Sequence, residues 1–149
     1  DGVRLQQAQA LRQLCSGHGA LFVVNDRIDI AQAVDADGVH LGQDDLPLSE
    51  ARQLLGPERL LGRSTHRLEH LLAAQQEGAD YLGVGPVFAT ATKPDRSPAG
   101  LSWVTEASRH AVVPWFAIGG IDAETIPSVR AAGAQRVAVV SAIMGSNDP

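Results

Sequence analysis

A parallel α/β fold is predicted by three observations. Short apolar runs recur along the chain, stripes of helical period separate them, and no hairpin turn joins one run to the next. The runs cover residues 21–24, 39–41, 60–61, 81–85, 115–118 and 137–140. Strands separated by helices pair through crossovers, which make parallel sheets and are right-handed.

The elements follow in order. Ala8, Leu11, Leu14 and Cys15 share one face of a first helix. Leu21-Phe22-Val23-Val24 is the first strand, and the segment from Ile28 to Val34 is a short helix. Val39-His40-Leu41 is the second strand. Ala51, Leu54 and Leu55 form the next stripe, after a Pro47 that suits a first helical turn. Leu60-Leu61 precedes the stripe Leu68, Leu71 and Leu72, which Gly78 ends. Tyr81-Leu82-Gly83-Val84-Gly85 precedes a stripe of Val104, Ala107 and Ser108. Trp115-Phe116-Ala117-Ile118 precedes a helix through Ile126 and Val129, with Asp122 as its expected cap and Gly133 at its end. Val137-Ala138-Val139-Val140 is the sixth strand. Ala36-Asp37-Gly38, Gly78-Ala79-Asp80 and Gly133-Ala134-Gln135 recur as tight turns from helix to strand.

Six strands fall short of the eight in a TIM (β/α)8 barrel, which usually needs about 250 residues. The chain of 149 residues opens on a helix and stops just after its last strand. The expectation is one domain, residues 1–149, forming an incomplete barrel without its first two strands and last helix. The start, Asp1-Gly2-Val3-Arg4, has no initiator Met and no signal-peptide pattern.

Composition narrows the function classes. A net charge of −5 with scattered basic residues argues against a nucleic-acid partner. No run of about 18 apolar residues argues for a transmembrane helix. The single cysteine, Cys15, excludes an internal disulfide and reads as a packing thiol in a reducing, cytoplasmic setting.

Each run ends in small or reactive residues, as at the carboxyl ends of parallel strands that carry active sites. Asn25-Asp26 ends the first and Gly42-Gln43-Asp44-Asp45 the second. Two strand-end acids, Asp26 and Asp45, suit Mg2+, which takes carboxylate and phosphate oxygens. A helix cap and a turn acid are the competing readings. Thr90-Ala91-Thr92-Lys93 offers two hydroxyls and an ammonium to a phosphate chain, or is an ordinary solvated loop. Gly119-Gly120 and Val140-Ser141 follow the last two strands, where barrels often bind phosphate. Ser64 and His66 lack the Gly-x-Ser-x-Gly elbow of a nucleophile, so Ser64 reads as a hydrogen-bonding group and His66 as an acid, a base or a helix-start residue. His18, His70 and His110 read as surface residues. No Walker-type or dinucleotide-binding glycine loop is present.

Asn25-Asp26, His40-Leu41-Gly42-Gln43-Asp44-Asp45, Gly62-Arg63-Ser64-Thr65-His66, Gly83-Val84-Gly85-Pro86-Val87-Phe88, Thr90-Ala91-Thr92-Lys93 and Ile118-Gly119-Gly120-Ile121 occur in the order seen in the thiamine phosphate synthase family. The resemblance covers nearly the whole chain. It implies a (β/α)8 barrel that joins a hydroxymethylpyrimidine diphosphate to a thiazole phosphate. It also implies Mg2+ on Asp26 and Asp45, and diphosphate on Thr90, Thr92 and Lys93 with help from Asn25. His40 and Ser64 would position the pyrimidine and its diphosphate. Gly119, Gly120, Ser141 and the Val140 backbone would hold the thiazole phosphate. Lys93 and Ser64 are the implied catalytic groups.

The family's early Tyr-Gln-x-Arg-x-Lys segment would precede Asp1, so these residues alone are expected to turn over poorly. Missing edges would expose strands and apolar faces, favouring association, a homo-oligomer included, or instability. Two alternatives stay open: a thiazole tautomerase-type relative using His66 as acid or base, and a phosphate-binding module without turnover.

Overall fold

A computed structural model describes residues 1–90 and 97–146. Six parallel strands lie in chain order: β1 (Val23–Asn25), β2 (Gly38–Leu41), β3 (Leu60–Thr65), β4 (Tyr81–Val84), β5 (Trp115–Ile118) and β6 (Val137–Ala138). The helices are α1 (Gly2–Gly17), α2 (Ile28–Ala33), α3 (Leu48–Leu55), α4 (Leu68–Gln76), α5 (Gly100–His110), α6 (Ile126–Ala131) and α7 (Ser141–Met144). Every strand pairs with the next in sequence, the winding of an α/β barrel, here as a half-barrel. No helix among the described residues is long and apolar enough to cross a membrane.

The register sorts side chains into two layers, because laterally paired residues share a face. Val39 pairs with Leu61, and Leu41, Arg63 and Leu82 align across β2, β3 and β4. Val39, Leu41, Leu61 and Leu82 are fully buried with Ala51, Leu55 and Leu71 of the covering helices. Burying one such leucine stabilises the fold by about 1.5–3 kcal/mol, so this outer face dominates the core. A second cluster joins Val104, Ala117, Ile121 and Val129 beneath β5 and β6.

The inner layer is different. Asn25, His40, Gly62 and Tyr81 form one row across four strands, and Ser64, Gly83 and Phe116 form the row above it. A Cβ on Gly62 would overlap the Tyr81 ring and lie 2.5 Å from His40 Nδ1. The two large rings occupy the space that Gly62 leaves.

The helix-to-strand repeat has a physical basis at the opposite end of the sheet. Asp37 Oδ2 accepts the Phe22 N–H at 2.7 Å and a bond from Arg12 at 2.9 Å. Asp80 Oδ2 accepts the Leu61 N–H at 2.7 Å and a bond from Arg52 at 2.6 Å. Each carboxylate therefore satisfies an N–H at the start of the neighbouring strand, in β3 for Asp80 and one residue before β1 for Asp37. The preceding alanines, Ala36 and Ala79, are buried, as is Ala134 in the third copy of the turn, where Gln135 replaces the acid.

Several expectations are corrected. The α1 stripe is buried only at Ala8; Cys15 is half-buried, while Leu11 and Leu14 are 48% and 58% exposed. The helix packs against α2 at the sheet edge, and its Arg12 reaches Asp37. Leu54 and Leu72, counted in helical stripes, are also exposed, at 55% and 42%. β3 extends to Thr65, whereas β6 ends at Ala138, and a one-turn helix follows it. Thr125, not Asp122, sits at the N-cap of α6. Asp122 instead accepts the N–H groups of Thr125 and Glu124 at 2.9 and 3.0 Å in the preceding turn. Hydrogen bonding from Thr125, backbone first, holds its carboxyl below the usual range.

Two predictions follow from the layers. Asp80→Ala should lower unfolding stability by about 1–3 kcal/mol, because the Leu61 N–H loses its acceptor; an unchanged urea midpoint would show that the turn does not need it. Gly62→Ala should cost about 1–3 kcal/mol by overpacking the inner layer. Thermal unfolding at the parent temperature would contradict that packing account.

Candidate active site

The carboxyl ends of the strands gather most of the residues that the motifs single out. Ser64, His66, Thr90, Gly119, Gly120, Val140 and Ser141 line one cavity of about 120 Å³. Gly119 and Gly120 adopt φ of 103° and 62°, in the left-handed region where glycine is at ease. They also allow close backbone approach. A Cβ on Gly119 would lie 2.6 Å from Pro86 Cα, and one on Gly120 2.6 Å from the Ala89 carbonyl oxygen. The end of β5 is thereby packed directly on the segment that follows β4.

His40, Ser64 and Tyr81 form a hydrogen-bonded row across the inner face. His40 Nε2 lies 2.9 Å from Ser64 Oγ, and His40 Nδ1 lies 3.1 Å from the Tyr81 hydroxyl. Burial pushes the Tyr81 phenol up to about 12, so it keeps its proton at neutral pH. The ring stands edge-on to Phe116 at 5.9 Å. Tyr81 is a site residue that the motifs miss. The signal available in the sequence was the pair of strand glycines, Gly62 and Gly83, since an interior strand glycine often marks close approach by another group.

The acids lie outside this cavity lining, at the ends of β1 and β2. Asn25 pairs with His40 in register, and the Asp26 N–H donates to the His40 carbonyl at 2.9 Å. Asp26 adopts φ of 63°, unusual for a residue with a side chain. The adjacent Arg27 forks onto Asp29 at 2.8 and 2.6 Å, which holds the Asp29 carboxyl at about 2. Asp45 Oδ2 accepts the Gly42 N–H at 2.6 Å, closing the turn after β2. Further bonds attach this turn to β3. Gln43 Nε2 donates to the Ser64 carbonyl at 2.6 Å, and buried Arg63 donates to the Leu46 carbonyl at 3.1 Å. Thr92 and Lys93 lie outside the described residues.

His66 accepts a fixed orientation, because its Nδ1 lies 2.5 Å from the Gly85 carbonyl and must be the donor there. That leaves Nε2 as the ring's second polar atom, beside the cavity that His66 lines. His70 is not a simple surface residue. Its Nδ1 is covered and has no hydrogen-bond partner among the described residues. Burial, with Arg67 second, holds its imidazolium below the ordinary range. Among the described residues, no three His, Cys, Asp or Glu side chains gather to hold a metal by themselves.

Comparison with known proteins bears on the family and the fold. The family described as thiamine monophosphate synthase matches residues 1–143. The thiamine-phosphate synthase of Synechococcus sp. (strain CC9311) is 86% identical over 149 residues, covering 100% of this chain and 42% of that protein. The chain thus spans less than half the length of such curated relatives. The structure of thiamine phosphate pyrophosphorylase from Pyrococcus furiosus superposes with a TM-score of 0.89 at 41% identity, over 97% of this chain and 69% of that one. A 3-hexulose-6-phosphate synthase structure, at 19% identity and a TM-score of 0.70 over 95% of this chain and 75% of that one, shares the fold alone. The half-barrel, the motif order and these matches together show that the chain belongs to the thiamine monophosphate synthase family.

Proposed function

We propose that this chain carries much of the substrate-binding face of an enzyme that joins a hydroxymethylpyrimidine diphosphate to a thiazole phosphate. The products are thiamine phosphate and diphosphate. The observation that carries this reading is the convergence of Ser64, Thr90, Gly119, Gly120 and Ser141 on one cavity at the strand ends. Gly119, Gly120, Val140 and Ser141 surround the thiazole phosphate with backbone. Ser64 and His40 hold the pyrimidine, and Asn25, Thr90, Thr92 and Lys93 hold the diphosphate.

The donors at β1 and β2 suit Mg2+ in their chemistry. Asp26 and Asp45 are hard carboxylates on adjoining strand ends, and the Gly42 N–H on one Asp45 oxygen orients the other. Mg2+ commonly takes one or two carboxylates and completes its shell with phosphate oxygens and water. When bound, it supplies charge neutralisation on the departing diphosphate.

The chain's own residues account for the rest. The methylene C–O bond breaks, and diphosphate leaves with the bonding electrons. The electron-rich pyrimidine ring stabilises the carbon cation, which the thiazole nitrogen captures. Lys93 offsets charge on the leaving oxygens. Separate anchors for the two phosphates set the partners face to face, so orientation supplies a large share of the acceleration. No side-chain nucleophile is required. Small-molecule substrates, a cytoplasmic setting and association with a second copy complete the reading.

The test is product formation by the full-length protein with both substrates and Mg2+. Asp26→Asn and Asp45→Asn should each lower kcat by about 100-fold or more. Failure of the parent to make thiamine phosphate, with His66-dependent isomerisation of a thiazole carboxylate phosphate in its place, would overturn the assignment in favour of a tautomerase.

A further inference from the structure

The geometry points to Tyr81 as a positioning residue: its hydroxyl sets the ring tautomer of His40, and His40 in turn leaves the Ser64 proton aimed at the bound ligand. The argument begins with how many partners each group has. The Tyr81 hydroxyl has one hydrogen-bond partner among the described residues, His40 Nδ1 at 3.1 Å. A phenol is one donor with a weakly accepting oxygen. If His40 Nδ1 carried the proton, Tyr81 would accept it and its own O–H, half-buried, would have no acceptor among the described residues. A fully buried donor left this way costs about 1–3 kcal/mol, and a half-buried one costs less. If Tyr81 donates, the only unused capacity is lone-pair capacity on oxygen, which is far more often tolerated. The high phenol value, set by burial, removes phenolate as an alternative at neutral pH.

The second link follows from the first. With Nδ1 accepting, the ring proton of neutral His40 sits on Nε2. That N–H donates to Ser64 Oγ across 2.9 Å. The serine oxygen is then occupied as acceptor, so the serine O–H remains as donor. Ser64 lines the cavity of about 120 Å³. The row therefore presents a hydroxyl proton to a lone-pair acceptor on the ligand, a phosphate oxygen or a heteroaromatic nitrogen. The reverse tautomer would turn Ser64 into a donor toward His40 and present the ligand only with an oxygen.

Steric design supports the relay. Gly62 stands between the Tyr81 ring and His40, and a Cβ there would overlap both groups. A Cβ on Gly83 would lie 3.2 Å from His40 Cε1. Phe116 braces the Tyr81 ring from the next strand. Four strands thus contribute to the placement of one proton.

The tautomer is testable without turnover, and its catalytic consequence rests on the function proposed above. In the full-length protein labelled with 15N-histidine, long-range proton–nitrogen spectra should show His40 with a bare Nδ1 and a protonated Nε2. Tyr81→Phe keeps the ring against Phe116 and removes only the hydroxyl. It should turn the single tautomer into a mixture and lower kcat/KM for the pyrimidine diphosphate about tenfold. Ser64→Ala with Tyr81→Phe should be no slower than Ser64→Ala alone, because the two act in series. A protonated Nδ1 in the parent overturns the relay whatever the variants do. So do an unchanged tautomer in Tyr81→Phe, or effects of the two substitutions that multiply. A parent that shows the Nε2 tautomer and loses it in Tyr81→Phe, yet makes no thiamine phosphate, upholds the relay and overturns the functional reading.

Discussion

Steric exclusion at Gly62 governs the inner face of this half-barrel. The residue lies in register between His40 and Tyr81, and both rings occupy the space that any side chain there would fill. An aliphatic inner layer would pack as an ordinary barrel core. Here glycines on β3 and β4 admit an imidazole and a phenol to the barrel interior. Their hydrogen bonds reach Ser64, which opens on the cavity. The apolar core is carried almost entirely by the outer face of the sheet, against the helices. That division frees the inner face for chemistry without loss of a core.

The two ends of the sheet carry different work. At the amino ends, Asp37 and Asp80 satisfy N–H groups at strand starts and take an arginine each. Their side chains are 27% and 38% exposed, so the ion pairs are screened and the backbone N–H bonds are the more valuable part. At the carboxyl ends the comparable positions carry Asn25, Asp26, Asp45, Ser64 and the Gly119-Gly120 pair. Such a split between a stability face and a functional face is a general property of α/β barrels.

Precision at the functional end comes from bonds that tie loops to neighbouring strands. The Asp45 turn is closed by the Gly42 N–H and attached to β3 through Gln43 and Arg63. Arg63 is buried, and its guanidinium donates to the Leu46 and Gln43 carbonyls of that turn. The segment after β4 is held at Gly119 and Gly120 by contacts too close for any Cβ. These attachments bring residues distant in the chain to one rim.

Much of this was legible in the amino-acid sequence. Alternating apolar runs and helical stripes determined the strand order, the parallel pairing and the rim on which polar strand ends meet, because period and chirality leave little choice. Motif order determined the family. Tertiary structure decided what local pattern does not encode. It exposed Leu11 and Leu14, which α1 carries at the sheet edge, where it packs against α2. It drew Asp122 into a turn ahead of α6, because Thr125 offers it an N–H and a hydroxyl. It buried one side of His70. It turned Arg63 away from the site, since strand alternation places it opposite Ser64 on the helix-facing layer. It made Tyr81 a partner of His40, which sequence reading passed over as one more apolar residue in a strand. The reason is common to all five: burial and hydrogen-bond partners depend on which surfaces meet in space, while periodicity reports only which surfaces a segment can offer.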